Sequence, residues 1–183
     1  MTSLLRLAVA GLVGIAAGWA GSSLLPKLHS QAGYAGLQDR EIKTLSDEEV
    51  AGLRQAKGLG YALAAELNGY PGPRHVLELA DKLSLTEAQR QQTEALIAKM
   101  TAEAAGLGER LIAAEQSLNQ KFADRAIDAV QLKKLTDESA ALDSALRSTH
   151  LSFHLAMMEV LSPAQVAEYA SLRGYAGGGH TGH

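Results

Sequence analysis

His150, His154 and Met158 stand at i, i+4 and i+8, a spacing that lines three side chains along one face of a helix. Neutral imidazoles one turn apart chelate a borderline divalent metal, and a thioether beside them favours nickel, cobalt or copper over calcium or magnesium. Zinc takes the same nitrogen donors, and a tight site needs about four ligands. A second pair, His75 and Glu78 at i, i+3, is the earlier source of the missing donors. The predicted metal set is therefore His150, His154, Met158, His75 and Glu78. A plainer reading competes with it: the histidine line falls one residue beyond the apolar positions Thr149, Phe153 and Met157, so His150 and His154 also suit the edge of a helical seam. His180 and His183 sit in a Gly-rich end, where ordering a flexible tail around an ion costs entropy.

Chemistry beyond metal binding finds little footing. The sequence has no nucleophile elbow, no His-Glu-x-x-His and no phosphate-binding loop, which predicts a protein that is not an enzyme. Lys57-Gly58-Leu59-Gly60-Tyr61-Ala62-Leu63-Ala64 imitates a dinucleotide fingerprint, but that pattern has mechanical meaning only after a strand, and the residues before it are helical in character. Carboxylates such as Glu94, Glu103, Glu109, Glu115 and Asp143 read as the solvated face of amphipathic helices. The formal net charge of -3 gives no basic stripe for nucleic acid. Cysteine is absent, which removes disulfides and thiol chemistry together.

The elements that must hold the candidate ligands are helices. With 183 residues, 4% aromatics and a middle rich in Ala, Leu, Glu, Gln and Lys, the chain suits a thin apolar layer between long helices rather than a core around a large ligand. Ser46-x-x-Glu49, Thr86-x-x-Gln89 and Ser162-x-x-Gln165 are capping boxes, each marking a helix start, and Pro163 takes the first helical position, where its missing donor costs nothing. The run Asn68-Gly69-Tyr70-Pro71-Gly72-Pro73 is the strongest turn signal. Apolar positions then recur in steps of three and four from Leu96 through Met100, Ala104, Leu107, Leu111, Ala114, Leu118 and Phe122. A helix from Thr86 to Phe122 would be about 55 Å long at ~1.5 Å per residue. After a turn near Asp124 to Asp128, a second stripe runs through Leu135, Leu142, Leu146, Phe153, Met157 and Val160. The predicted fold is all-α: a long antiparallel helical hairpin from about Thr86 to Leu161 with short flanking helices. Gly106 and Gly108 interrupt helix propensity and permit bending or close approach. Such a two-helix layer leaves an apolar side uncovered, which predicts a homodimer.

Leu4 to Leu25 is apolar or small except at Arg6, Ser22 and Ser23. It is either a cleaved signal peptide, with Gly18 and Ala20 flanking Trp19 at a cleavage spacing, or an anchor of about the 20 residues a bilayer requires. In both cases the remainder is exported. The expected organisation is a signal or anchor over 1–25, a linker over 26–44, the hairpin domain over 45–175 and a flexible tail over 176–183.

Leu85-Thr86-Glu87-Ala88-Gln89 and Leu161-Ser162-Pro163-Ala164-Gln165 bracket this hairpin behind an export segment. The pair resembles the LTxxQ repeats of the Spy/CpxP family of periplasmic proteins over about Arg74 to Tyr175, with Ser for Thr in the second copy. The resemblance implies a curved all-helical dimer that shields unfolded envelope proteins, restrains a membrane signalling partner, or binds a divalent metal in a membrane-anchored sensor. The first role requires no cofactor. Metal-sensing members use a His followed four residues later by Met, as His154 and Met158 stand here, together with His and Glu from an earlier helix; this chain has only His75 where they carry a His-x-x-x-His pair. The leading expectation is a periplasmic envelope-stress protein that binds unfolded clients, and the alternative is a periplasmic nickel, cobalt, copper or zinc sensor or resistance protein.

Overall fold

The computed structural model describes residues 34–175. The signal or anchor segment over 1–25, the first part of the linker and the tail over 176–183 lie outside the described residues. Six α-helices follow a short 3-10 turn at Leu37–Asp39: α1 (Asp47–Arg54), α2 (Leu63–Glu66), α3 (Pro73–Glu78), α4 (Glu87–Ala123), α5 (Ala129–Val160) and α6 (Pro163–Leu172). Among the described residues there is no strand, and no helix is long and apolar enough to cross a membrane. The all-α hairpin expected from the two stripes is the architecture found, with α4 packed along α5 and α1 and α3 laid against α4.

All three capping boxes form: Ser46 with Glu49, Thr86 with Gln89, and Ser162 with Gln165. Asp128 caps α5 by accepting from the Gln131 amide at 2.8 Å, and the α4 to α5 turn runs through Arg125 at φ 51°. The glycine-rich stretch after α1 is no helix. It leaves Arg54, passes left-handed backbone at Ala56, Leu59 and Gly60, and re-enters helix at Leu63, so it follows a helix rather than a strand. α3 is shorter than the apolar spacing of Val76, Leu79 and Leu83 suggests. It stops at Glu78 and continues as turns to Ser84, which is itself left-handed at φ 50°.

Two apolar clusters hold the hairpin. One joins Leu111, Ile112 and Ala104 of α4 to Leu142 and Leu146 of α5, with Leu53 and Ala56 from the α1 side and Ile42 from the stretch read as linker. The other joins Val76, Ala80, Leu83 and Leu85 to Met157, Leu161 and Tyr169. Gly108 explains how α1 comes so close: a Cβ there would stand 2.6 Å from the Leu53 carbonyl oxygen, whereas Gly106 faces open space. One glycine is a contact surface and the other is not.

The two LTxxQ-type boxes do more than start helices. Gln89 Nε2 donates to Gln165 Oε1 at 2.9 Å and to the Val160 carbonyl at 2.9 Å. Gln165 Nε2 donates to Gln89 Oε1 at 3.1 Å and to the Leu83 carbonyl at 3.2 Å. Each Oε1 also accepts from its own cap amide, Thr86 N at 3.0 Å and Ser162 N at 2.9 Å. Every donor and lone-pair direction of both amides is used. Gln89→Glu keeps an acceptor for the Thr86 cap but removes both donors and sets oxygen against oxygen. It is expected to cost about 1–3 kcal/mol, the usual penalty for leaving part-buried acceptors unpaired. Denaturant midpoints measure this, and an unchanged midpoint would show that the clasp carries no stability.

Candidate metal-binding site

Between the two apolar clusters the inner face of α5 turns polar. On α5 the gap after Leu146 and before Met157 holds His150, Phe153 and His154, all buried; on α4 it holds Met100. Against this gap lies the loop between α1 and α2, then α2 itself, then the Tyr70 to Pro73 turn into α3. Together they form a cavity of about 270 Å³, open to solvent on one side, lined by Glu66, Arg74, His75, Met100, His150 and His154, with Ala56, Leu59 and Leu63 as its apolar wall.

Glu66 is the centre of the polar network. Its side chain is 7% exposed, a costly position for a carboxylate unless it is well partnered. Oε1 accepts from the Tyr169 hydroxyl in a short bond, from the Tyr175 hydroxyl at 3.3 Å, and lies 3.4 Å from His75 Nδ1 and 3.5 Å from Arg173 Nε. Oε2 accepts from the Gly72 amide at 3.2 Å and is 3.8 Å from His154 Nδ1. One carboxylate thus gathers groups from α3, α5, α6 and the chain beyond α6. Burial, reinforced by the bond to Glu66, pushes the Tyr169 phenol far above its ordinary pKa, so it stays a donor.

The two α5 histidines differ. His154 Nδ1 is 2.7 Å from the Tyr70 carbonyl oxygen. The neutral ring therefore donates from Nδ1 and leaves Nε2 as the bare nitrogen, the orientation that a backbone carbonyl imposes on metal-ligating histidines. Its ring presses on the turn: a Cβ on Gly72 would stand 2.9 Å from His154 Cε1. His150 is 3% exposed, and its Nε2 is sealed from solvent with no hydrogen-bond partner. It stacks on Tyr61 with ring centroids 5.8 Å apart and planes 10° from parallel, while the Tyr61 hydroxyl donates to Asp143 at 2.5 Å. Burial first, then the neighbouring His154 and Arg74, lower the His150 pKa below its ordinary 6.5.

Of the sequence-derived ligands, His75, His150 and His154 line the common cavity. Met158 and Glu78 are not part of its lining; Glu78 is exposed, and Met100 is the thioether that faces the cavity. Among the described residues no three His, Asp or Glu side chains meet at metal-binding spacing. The donor types fit a borderline divalent ion, and the orphaned His150 nitrogen fits one too, but the groups share a cavity rather than a formed coordination shell. Glu66 escaped sequence reasoning although it left a signal: from Gly58 to Pro73 it is the only charged residue.

No family model, no curated protein and no solved structure matches this chain.

Because the His150 pKa is lower folded than unfolded, the unfolded chain binds more protons in the interval between them, and stability rises with pH there. This contribution is complete above 6.5 and is lost as pH falls from there through the folded-state value. Urea unfolding followed from about pH 7.5 to about pH 5.5 should show a steeper loss for the parent protein than for His150→Gln. Parallel slopes would mean that His150 is not held neutral by the fold.

Proposed function

We propose that this chain is a non-enzymatic periplasmic transition-metal-binding protein, of the sensor or resistance kind, whose site is the histidine cavity. The observation that carries the reading is His150: a buried imidazole nitrogen without a partner, in a cavity shared with His154, His75 and Glu66. A buried polar nitrogen without a partner costs free energy, and a cation bound to the ring in the tautomer that leaves Nε2 bare would remove that cost. The ion would be held by His150 and His154, with Glu66 and His75 as further donors and Met100 beside them. It would act as a cross-link between α5 and the α2 to α3 segment, and Glu66 would exchange some of its present partners for the metal. The resemblance of the Leu85 to Gln89 and Leu161 to Gln165 motifs to the Spy/CpxP family, together with an apolar leader and the absence of cysteine, supports the periplasm as the compartment.

A second reading, an envelope-stress chaperone acting as a homodimer or through a membrane signalling partner, is favoured by the exposed apolar side chains Leu63, Leu67 and Leu155. Exposed apolar side chains of this kind suit weak, broad contact with unfolded chains. Suppression of aggregation of a denatured client by the metal-free protein would count for it.

Calorimetric titration with nickel, cobalt, copper and zinc tests the metal reading. Heat is expected from at least one ion, lost in His150→Ala and His154→Ala and retained after truncation beyond Tyr175. Binding should weaken as pH falls through the imidazole range, because protons compete for the neutral rings. Met158→Ala should leave affinity unchanged while Met100→Ala lowers it. No heat with any of the four ions, or heat that disappears only with His180 and His183, would sink the proposal.

A further inference from the structure

The tip of the α4 to α5 hairpin carries an unusual pairing of exposed apolar and basic groups. Phe122 is 55% exposed and Val130 79%, and between Lys121 and Lys134 the chain has four cations, Lys121, Arg125, Lys133 and Lys134, against two anions, Asp124 and Asp128. Lys133 is paired with Asp137 at 2.5 Å; Lys121, Arg125 and Lys134 have no carboxylate partner among the described residues. The opposite end of the hairpin has the reverse balance, with Asp81, Glu87, Glu94, Glu159 and Glu168 against Lys82, Arg90 and Arg173. A chain of formal net charge -3 has therefore concentrated free cations at the end where it also exposes Phe122 and Val130.

The path of the chain leads to this same end. Asn119, in the last turns of α4, accepts from the Lys43 amide at 3.4 Å and donates to the Glu41 carbonyl at 3.2 Å. Lys43 and Thr44 form one groove with Leu118 and Phe122 of α4 and a second with Tyr34, which is 84% exposed. The described chain thus begins beside the tip half of the hairpin. Only residues 26–33 separate it from the apolar segment Leu4 to Leu25, and eight residues span at most about 30 Å.

We propose that the hairpin tip is a membrane-contact surface that rests on anionic lipid headgroups, with Phe122 and Val130 meeting the interface and Lys121, Arg125 and Lys134 pairing with phosphates. Aromatic and aliphatic side chains flanked by Lys and Arg are the chemistry that binds such an interface. The proposal takes Leu4 to Leu25 as retained in the bilayer. It is independent of the metal reading.

Because the chain has no cysteine, Val130→Cys and Glu87→Cys each give a single labelling site, at the tip and at the opposite end. The full chain, labelled with an environment-sensitive fluorophore, is reconstituted into vesicles of phosphatidylcholine alone or with phosphatidylglycerol. In the anionic vesicles iodide should quench the label at 130 about threefold less than the label at 87, and high salt should abolish the difference by screening. The triple variant Lys121→Gln, Arg125→Gln, Lys134→Gln should abolish it too. Equal quenching at both sites, failure of the chain to stay with the vesicles, or shielding at 130 that ignores phosphatidylglycerol and the three substitutions would overturn the proposal. None of these results would affect metal binding measured in solution.

Discussion

The clasp between Gln89 and Gln165 sets the register on which the rest of this fold depends. A helical hairpin held only by an apolar stripe has neighbouring registers of similar energy, because Leu, Ala and Met interchange along the seam with little loss of contact area. Two amides that satisfy each other and two foreign carbonyls tolerate no such slip, since a displacement of one residue would part the paired amides and leave the Val160 and Leu83 carbonyls without their side-chain donors, while each amide kept only its local helix-start bond. The same arrangement explains why Glu49 serves at the exposed α1 box while Gln stands at both paired ones. A carboxylate caps a helix equally well, but two carboxylates cannot face each other or donate to Val160 and Leu83.

Fixing that end of the hairpin fixes what lies next to it. Between the clasp and the central cluster α5 has His150 and His154 where a simple bundle would be apolar, and Glu66 from a four-residue helix fills the gap. What offsets its burial in a site 7% exposed is a sum of small attractions: two phenols, a backbone amide, a guanidinium and two imidazoles. The loop that delivers it is correspondingly irregular. Ala56 and Leu59 occupy left-handed backbone without being glycine, a conformation that surrounding contacts must hold in place; Leu59 does this by packing its methyls against Gly52, where a Cβ would come within 2.6 Å.

The helices were readable from the sequence because their signals are local. Capping boxes, Pro163 and a stripe in steps of three and four act within one or two turns, and they placed α1, α4, α5 and α6 near their observed bounds. The cavity was only partly readable. His150 and His154 stood out by type and spacing, but the spacing also extended the line to Met158, since a helix wheel cannot tell which of three aligned side chains meets a partner. Burial decided that, and it depends on α2 and its flanking loop, whose short irregular path has no periodicity. Glu66 acquires its importance from residues up to 109 positions away, a distance over which no local pattern reports.

Gly69 and Gly72 look alike in the sequence, both punctuating a turn between α2 and α3, yet they answer to different demands. Gly69 has φ 84°, so its backbone asks for glycine. Gly72 sits at φ -85° and ψ 141°, a conformation open to any residue, and what asks for glycine there is the imidazole edge of His154 above it. The second half of the turn is therefore shaped by the ring it faces, and the identity of residue 72 is a record of the cavity rather than of the loop.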